Sequence, residues 1–354
     1  MDIKRSLETL SLIAFAIALV LSLPLVAGFF GSAHPALDSL AHFRVHLAVV
    51  MILFATLALG GSMWRQGLMA IAFGLAAIGT AMGIPASLGQ VHAAFHPKDD
   101  AAPAYRLLQM NLRFDNAEPG KVLSLIGRTR PDIITLDEVS QMWAQKLDLL
   151  SSAYPHRIVC TMENHAGGVA ILSLRPFVRA ARCLDGGVFA VADIDLGGRL
   201  VQVGALHLHW PWPFDQSGQI DRLAAPLGEM AGTAILAGDL NATPWSASAR
   251  RVAEAGTFQR VKVAGPTWLY RRLPEALRFA GLPIDHIFAK GDVMVHSART
   301  LEAAGSDHLP VLMEFSLKPA PETPGETSQP EIVVQRSAGT PGRLTTRPSD
   351  FQRS

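Results

Sequence analysis

Charged side chains are distributed very unevenly along this chain, and their near absence from the N-terminal part constrains the fold more than any other feature. Three long stretches contain no charged residue, and they lie between residues 8 and 38, 44 and 65, and 65 and 98. A membrane-spanning helix needs about 20 apolar residues, and a charge at its centre costs roughly 2.5–3.5 kcal/mol. The pattern predicts three transmembrane helices, at about residues 11–31, 45–64 and 67–89. The alternatives are a cleaved signal peptide for the first stretch and buried core helices for the others.

Basic residues beside these stretches predict their orientation. Lys4 and Arg5 precede the first stretch and Arg65 separates the second from the third, whereas the loop between the first two has no basic residue before Arg44. Because basic loops stay in the cytoplasm, the N-terminus is predicted to be cytoplasmic and the chain after about Gln90 extracytoplasmic. We therefore expect a multi-pass protein of a bacterial inner membrane with a periplasmic C-terminal part.

Composition divides the chain into four parts. Residues 1–95 are predicted to form the membrane anchor, 96–103 a polar linker, 104–317 a globular domain and 318–354 a disordered tail. The tail is dense in Pro, Ser, Thr and Gly, and such a segment buries too little apolar surface to offset the entropy lost on ordering.

The globular part alternates short apolar runs with amphipathic segments. RLLQMNLR and PDIITLDEV are predicted strands, and a helix opening at Pro119 connects them. A hairpin is expected to turn at Leu196-Gly197-Gly198. Hairpins mixed with strand-helix-strand units predict an α/β (α+β) four-layer sandwich, in which two mixed β-sheets are flanked by helices.

Polar residues follow many of these apolar runs, at the places where the predicted strands end. They are Asn111, Glu138, His207, Asp239, Asn241, Asp285, Asp307 and His308. A carboxylate at a buried strand end needs a hydrogen-bonded partner or a cation, because an isolated buried charge is costly. Oxygen donors suit Mg²⁺, with Mn²⁺ also possible, better than zinc.

Each of these residues also has an ordinary structural explanation. Asp239 and Asn241 are two apart, so they project to the same side of an extended chain, yet they also fit an Asx turn. Glu138 fits a surface position after a strand, and His207 fits a core histidine. Strand alternation predicts that Asp137 points away from the side to which Glu138 points.

Taken in order, these motifs resemble those of the endonuclease/exonuclease/phosphatase superfamily, which includes DNase I-like nucleases and neutral sphingomyelinases. The resemblance covers residues 105 to 317 and rests on MNLR, PDIITLDEV, GGVAILS, HLHWPWP, GDLNATP, IDHIF and GSDHLPV. With three predicted spans ahead of it, the chain is similar to membrane-attached bacterial members.

The resemblance implies an enzyme, a hydrolase of phosphate esters, and a role for each motif residue. The catalytic residues would be His207, Asp239, Asn241, Asp285 and His308. The metal-binding residues would be Asn111, Glu138 and Asp307, and Asn241 would also hold the phosphate. The motifs leave open how Asp239 and His308 divide the proton transfers.

Substrate choice is less constrained by the sequence. The net charge is only +1, so no strong electrostatic field attracts duplex DNA. His209, Trp210 and Trp212 follow the site histidine and are predicted to contact the substrate, although a packed Pro-Trp corner explains them equally. The expected substrate is a lipid, nucleic-acid or small phosphodiester, and no obligate protein partner is evident.

Two further alternatives remain at this point. The chain is either the enzyme described above or a non-catalytic extracytoplasmic binding or scaffold module built on the same fold. Cys160 and Cys183 are the only cysteines, and they form either a disulfide or two free thiols.

Overall fold

Helices make up the first part of the chain and strands dominate the second. The computed structural model describes residues 2–83, 92–98, 103–162 and 167–319. The helices are α1 (Asp2–Ala27), α2 (Pro35–Ala41), α3 (Arg44–Ala58), α4 (Trp64–Ala81), α5 (Pro119–Thr129), α6 (Gln141–Leu147), α7 (Gln216–Gly228) and α8 (Ala247–Ala255). The predicted disordered tail after residue 319, the end of the predicted third span and the middle of the predicted linker lie outside the described residues.

The described strands form two sheets. The first has the order β11-β12-β1-β2-β4-β3, with β1 (Tyr105–Asn111), β2 (Ile133–Val139), β3 (His156–Val159), β4 (Gly168–Ser173), β11 (Val293–Thr300) and β12 (Val311–Leu317). The second has the order β5-β6-β7-β8-β10-β9, with β5 (Arg182–Leu184), β6 (Phe189–Asp195), β7 (Leu200–Leu206), β8 (Ala234–Asp239), β9 (Gln259–Arg260) and β10 (Asp285–Lys290). Both sheets are mixed, because β1 runs parallel to β2 and β7 runs parallel to β8.

Apolar side chains on the two faces of each strand build the layers. Leu107 and Ile133 point between the sheets, whereas Leu108 and Ile134, one position later, pack under α5 and α6. A third apolar cluster lies between the second sheet and helices α7 and α8. The layers are therefore helix, sheet, sheet and helix, which confirms the predicted sandwich of two mixed sheets.

Local sequence signals account for two of the connections. Pro119 occupies the first turn of α5, and Arg130 ends that helix in the left-handed conformation with φ 43°. The hairpin between β6 and β7 turns through Gly197 (φ 68°) and Gly198 (φ 83°), where a side chain would strain the backbone. Both connections were predicted from the sequence.

The membrane prediction needs correction. Within the described residues one helix, Ile3–Phe30, is long and apolar enough to cross a membrane, and α2 with α3 qualifies only if these helices, bent by 60°, count as one span. α3 alone has 15 residues, and the first turn of α4 contains the polar Arg65 and Gln66. The expectation of three separate spans was therefore wrong for the described residues. Ile3–Phe30, near the N-terminus, fits either a membrane anchor or a signal sequence.

Small and flexible apolar residues hold the N-terminal helices together. Ala18, Ala48, Met51, Ala55 and Ala77 are buried where α1, α3 and α4 meet. Large apolar side chains point outward from the same helices, among them Leu19, Leu23, Leu53, Leu57, Met69 and Leu75. These helices therefore expose an apolar surface.

The helix α2 also contacts the sandwich. The buried carboxylate of Asp38 accepts hydrogen bonds from the backbone N–H of Ala247 (2.6 Å) and of Ser248 (2.9 Å), at the start of α8. The indole of Trp245 donates to the carbonyl of Ala41 at 2.7 Å. A carboxylate at a helix N-terminus is favourable because it satisfies free N–H groups and complements the helix dipole.

Cys160 and Cys183 form a disulfide, with their Cα atoms 5.6 Å apart. Cys160 directly follows β3 and Cys183 lies in β5, so the bond joins an edge of the first sheet to an edge of the second. The structure thus decides a pairing that the sequence left open.

Candidate active site

The predicted polar residues meet where strands of both sheets end. Asn111 is opposite Asp137 in the β1–β2 register, and Asp285 is opposite Asp239 in the β8–β10 register. All four side chains are buried between the sheets. Because the paired strands end together, the topology brings carboxylate and amide groups from four strands into one place.

Asn111 links two carboxylates from different sheets. Its Nδ2 donates to Glu138 Oε1 and to Asp239 Oδ2, both at 3.0 Å. Its Oδ1 accepts a hydrogen bond from the backbone N–H of Arg113 at 2.9 Å. In this conformation Asn111 therefore holds Glu138 and Asp239 together with its amide hydrogens, while its oxygen fixes the turn that follows β1.

The backbone at Glu138 departs from regular strand geometry. Its φ is 56°, and the pairing of β2 with β4 shifts between Leu136 and Val139. This break in alternation allows Glu138 to reach Asn111, although Asp137 is also directed between the sheets. Asp137 Oδ2 accepts from the N–H of Asp239 at 2.8 Å, so the prediction that only one of the two acids faces the site was wrong.

His308 is held by Asp285. The imidazole Nδ1 donates to Asp285 Oδ2 at 2.9 Å, and Nε2 then lies 3.7 Å from Asp239 Oδ2. Gln109 Nε2 donates to Asp285 Oδ1 at 3.1 Å and also to Asp137 Oδ2 at 3.1 Å. These contacts fix both the ring orientation and the nitrogen that faces Asp239.

His207 approaches Asp239 from the second sheet. Its Nε2 lies 3.8 Å from Asp239 Oδ2 and 3.4 Å from the Nδ2 of Asn241. Asn241 Nδ2 also donates to the carbonyl of Leu208 at 2.9 Å, and the Asn241 N–H donates to Asp239 Oδ1 at 2.7 Å. Asp239 therefore lies between two imidazoles, with Asn241 beside it.

Burial and neighbouring charges shift the pKa values of this group. Burial raises the pKa of Asp239 to about 7 despite the opposing effect of His308. Burial also disfavours the charged form of His308, but the carboxylates of Asp285 and Asp239 outweigh it and raise the pKa of His308 to about 10. For Asp285, His308 outweighs the effect of burial and lowers the pKa, whereas burial lowers the pKa of His207. The result is a carboxylate-imidazolium pair beside a second, more basic carboxylate.

Two features of this cluster fit a cation. The ligand atoms of Asp239, Asp285 and His308 all lie within 4.8 Å of one another. The buried Oδ1 of Asn241 has no hydrogen-bond partner among the described residues. Of the predicted metal-binding residues, Asn111 donates to Asp239 of this cluster, and Glu138 is linked to the cluster through Asn111.

Other predicted residues lie outside the network. Asp307 accepts from the indole N–H of Trp268 at 3.2 Å instead of meeting Glu138. His209 is exposed, because β7 ends at Leu206 and the chain leaves the sheet after that residue. Trp210 packs edge-on against Trp268 with ring centroids 5.7 Å apart, and Trp212 is half exposed beside it.

Comparison with known proteins agrees with this arrangement. The model of the Endonuclease/Exonuclease/phosphatase family matches residues 108–308. The chain belongs to the endonuclease/exonuclease/phosphatase family. The family name describes nucleases and phosphatases, which hydrolyse phosphate esters.

This family member is also similar to individual proteins. UPF0294 protein VV2535 of Vibrio vulnificus (strain YJ016) is 32% identical over 146 residues, which are 41% of this chain and 48% of that protein. The chain spans about half the length of the curated relatives it matches.

A solved structure shares the fold. An endonuclease/exonuclease/phosphatase from Bacteroides vulgatus has a TM-score of 0.50 at 17% identity and covers 61% of this chain and 100% of that chain. One from Beutenbergia cavernae has a TM-score of 0.49 at 21% identity and covers 62% of this chain and 73% of that chain.

Several residues that support the family site were not predicted from the sequence. They are Gln109, Asp137, Gln216, Gln219, Thr267, Trp268 and Ser306. Gln216 and Gln219 are both buried on α7, where Gln216 Nε2 donates to the carbonyl of Leu240 and Gln219 Oε1 accepts from the N–H of His209. Two glutamines three apart on the apolar face of a helix were the available signal, since buried amides need partners.

Proposed function

We propose that this chain is a membrane-anchored, divalent-metal-dependent phosphodiesterase whose catalytic domain lies outside the cytoplasm. One observation carries the proposal: Asp239 Oδ2 lies within 4 Å of the Nε2 atoms of both His207 (3.8 Å) and His308 (3.7 Å), at the end of a buried strand. A carboxylate between two imidazoles provides both the proton acceptor and the proton donors that ester hydrolysis requires.

Each residue has a role in the proposed reaction. A water oxygen attacks phosphorus, the bond from phosphorus to the leaving oxygen breaks, and Asp239 accepts the proton of that water. His308 is hydrogen-bonded to Asp285, which favours its charged form, so it donates towards the phosphoryl oxygens. His207 and the amide of Asn241 also lie next to Asp239. Charge that develops on the phosphoryl oxygens is thereby met by fixed donors.

The carboxylates of the site fit a bound magnesium or manganese ion. Glu138 Oε1 and Asp239 Oδ2 are both held 3.0 Å from one amide nitrogen, so two carboxylates converge, and convergent carboxylate oxygens are ligands that a hard divalent cation prefers. Glu138 and Asp239 would hold the ion, with the oxygen of Asn241 nearby, and all are hard oxygen donors. When bound, the cation would withdraw charge from the phosphoryl group. Asp307 remains a proposed neighbour of this ion.

The location is supported by three features. Lys4 and Arg5 lie near the start of α1, ahead of its uncharged part, which favours a cytoplasmic N-terminus if α1 is retained as an anchor. Asp38, beyond the end of α1, contacts the sandwich directly, so both lie on the same side of the membrane. The Cys160–Cys183 disulfide is typical of an oxidising compartment.

The activity is tested with the purified full-length chain in detergent. We expect hydrolysis of bis-p-nitrophenyl phosphate with magnesium, loss of activity in EDTA and recovery when excess magnesium is returned. Asp239→Asn should lower kcat/KM on the order of 10³-fold, because it removes the proton acceptor and part of the charge that holds the cation. The measurement is the initial rate of p-nitrophenolate release.

Asp193→Asn is the matched control. Asp193 is a buried acid of the same sheet, but its carboxylate pairs with Gln202 and Arg179 near the β6–β7 hairpin. This variant should keep the wild-type rate within about threefold, as expected for a substitution distant from the chemistry. Full activity in EDTA, or equal loss in both variants, would contradict the proposed function.

A further inference from the structure

An apolar cavity lies between the N-terminal helices and the sandwich, next to the proposed active site. Its volume is about 450 Å³, which is within the range of small-molecule sites. Phe43 and His46 contribute one wall from α3 and the residue before it. Trp210, Trp212 and Trp268 contribute another from the sandwich.

Polar contacts fasten the two sides of this cavity to each other. Ser39 Oγ donates to the carbonyl of Trp212 at 3.1 Å, and His46 Nε2 donates to the carbonyl of Ala280 at 2.8 Å. The two contacts join residues that are 173 and 234 positions apart in sequence. The walls of the cavity therefore come from two distant parts of the chain. The N-terminal helices are thus part of this cavity as well as a possible anchor.

Asn241 connects the cavity to the chemistry. It lines the cavity, and its Nδ2 lies 3.4 Å from His207 Nε2. Its backbone N–H also donates to Asp239. A molecule that fills the cavity and extends past Asn241 therefore reaches the residues to which phosphodiester cleavage has been assigned above.

The chemistry of the lining is apolar. Aromatic and aliphatic side chains dominate it, including Phe43, Trp212, Leu269 and Leu273, and none of the described residues that line it is a lysine or an arginine. Single-stranded nucleic-acid sites combine stacking rings with a positively charged groove along the backbone. This cavity has the rings without the charge, which favours a hydrocarbon occupant over a polynucleotide.

The cavity also adjoins the apolar exterior of the helices. Phe43 and Trp212 are each about half exposed, at 50% and 53%, and α3 continues outward from the cavity with the exposed Val49, Val50 and Leu53. A hydrocarbon chain that leaves an apolar phase along α3 would meet the cavity without crossing a polar surface.

We propose that the cavity binds the hydrocarbon tail of an amphiphilic phosphodiester and thereby places its phosphate beside Asn241 and Asp239. This inference rests on the proposed function and specifies its substrate class. At about 30 Å³ per methylene, similar to the share of a water molecule in the liquid, the cavity holds a chain of roughly 15 carbons. Each buried methylene contributes about 0.8 kcal/mol, which corresponds to up to about fourfold in affinity.

The test is a series of alkyl p-nitrophenyl phosphates, with alkyl chains from methyl to hexadecyl. Every member releases the same p-nitrophenolate when water attacks phosphorus, and the alkyl phosphate is the other product. With the full-length chain in mixed micelles at a fixed substrate mole fraction, kcat/KM should rise with chain length and level off near the capacity of the cavity. Because the reacting bond is constant, a rise in kcat/KM reports recognition of the tail.

Two substitutions at the rim should flatten this series. Leu273→Asp and Phe43→Asp each place a charge at a half-exposed position of the cavity. We expect each to lower the ratio of the long-chain to the methyl rate by at least about tenfold. Leu149→Asp is the matched control, because Leu149 is exposed and does not line the cavity, and it should keep the wild-type ratio.

An activity-independent arm separates the two proposals. Hexadecyl phosphate with a photoreactive diazirine at the chain end should label peptides containing Phe43, Trp212 or Leu273, and Leu273→Asp should reduce that labelling. Labelling of the cavity without hydrolysis of any ester would overturn the proposed function alone. A flat chain-length series, labelling confined to outward residues such as Leu53, or stronger competition by a single-stranded oligonucleotide than by hexadecyl phosphate would overturn the tail site.

Discussion

Two of the junctions between the sheets of the sandwich are built by different means. At the strand ends, hydrogen bonds cross between them: Gln109 of the first sheet meets Asp285 of the second at 3.1 Å, and Asn111 meets Asp239 at 3.0 Å. At the edge formed by β3 and β5, the covalent bond between Cys160 and Cys183 joins them. The first junction is composed of buried ionisable and amide groups, and the second has no titratable group.

The hydrogen-bonded junction is expected to affect mainly catalysis, and the disulfide mainly the free energy of unfolding. Buried charges lose hydration, and their mutual attraction often does no more than offset that loss. The hydrogen-bonded junction therefore contributes position and charge at the site more than it contributes to the free energy of unfolding. A disulfide stabilises mainly by restricting the unfolded chain, and it contributes nothing to the reaction. Variants at the two junctions should therefore affect different measurements.

The largest effect is expected for Asp285→Asn. The substitution keeps the shape of the side chain but removes the charge that holds His308, so kcat/KM for bis-p-nitrophenyl phosphate should fall about 10³–10⁴-fold, or roughly 4–5.5 kcal/mol. It should also lower the pKa of His308 from about 10, because the Asp285 carboxylate is the main group that raises it. Initial rates and an NMR titration of the His308 ring in EDTA measure the two effects.

The stability of Asp285→Asn tests whether the hydrogen-bonded junction acts mainly in the reaction. Its free energy of unfolding should fall by a few kcal/mol, because loss of one partner of a buried pair leaves His308 without its counter-ion. The rate per folded molecule should fall far more than the folded fraction does. If the rate of Asp285→Asn falls only in proportion to its folded fraction, the hydrogen-bonded junction is structural and the distinction drawn above is wrong.

The second prediction concerns the covalent junction. The bond closes a loop with a sequence separation of 23 residues, so replacing both Cys160 and Cys183 by Ser should lower the free energy of unfolding by about 3 kcal/mol. The rate per folded molecule should stay within about twofold of wild type. Urea denaturation and active-site rates measure these quantities, and wild-type protein in reductant is the control, which should match the double variant. A large loss of kcat in the double variant would show that the junctions are not independent.

The sequence predicted which residues meet at the hydrogen-bonded junction, but it did not predict the directions of all their side chains. Apolar runs ending in Asn111 and Asp239 indicate strand ends, and these residues do end β1 and β8. Asp285 instead begins β10, which runs antiparallel to β8 and so brings Asp285 to the same end of the sheet. The resemblance to a family added the order of the motifs. The directions of Asp137 and Glu138 did not follow, because a bulge with a φ of 56° breaks strand alternation and no residue type in LDEV requires it.

Other features depend on contacts distant in sequence. Gln109 and Thr267 support Asp285, but each alone is an ordinary strand or loop residue. The disulfide required knowledge that β3 and β5 are edge strands on the same side of the sandwich. The three spans were predicted only from the lengths of the uncharged stretches. Length alone does not predict the bend between α2 and α3, nor the hydrogen bonds that Asp38 makes to the sandwich.

The smallest effect is expected where the N-terminal helices meet the sandwich, at Asp38. Replacing Asp38 by Ala leaves the buried N–H groups of Ala247 and Ser248 without an acceptor, which should lower the free energy of unfolding by about 1–3 kcal/mol. Because α8 follows shortly after Asn241, kcat/KM should also fall, although by less than about tenfold. Thermal unfolding in detergent and rates with bis-p-nitrophenyl phosphate measure the two effects.

Asp148→Ala is the control. It removes an exposed acid paired with Arg157 and should leave both the stability and the rate unchanged within error. If Asp38→Ala changes neither the stability nor the rate, the contact between α2 and α8 does not support the domain. If it lowers the rate as strongly as Asp285→Asn does, this contact contributes directly to catalysis.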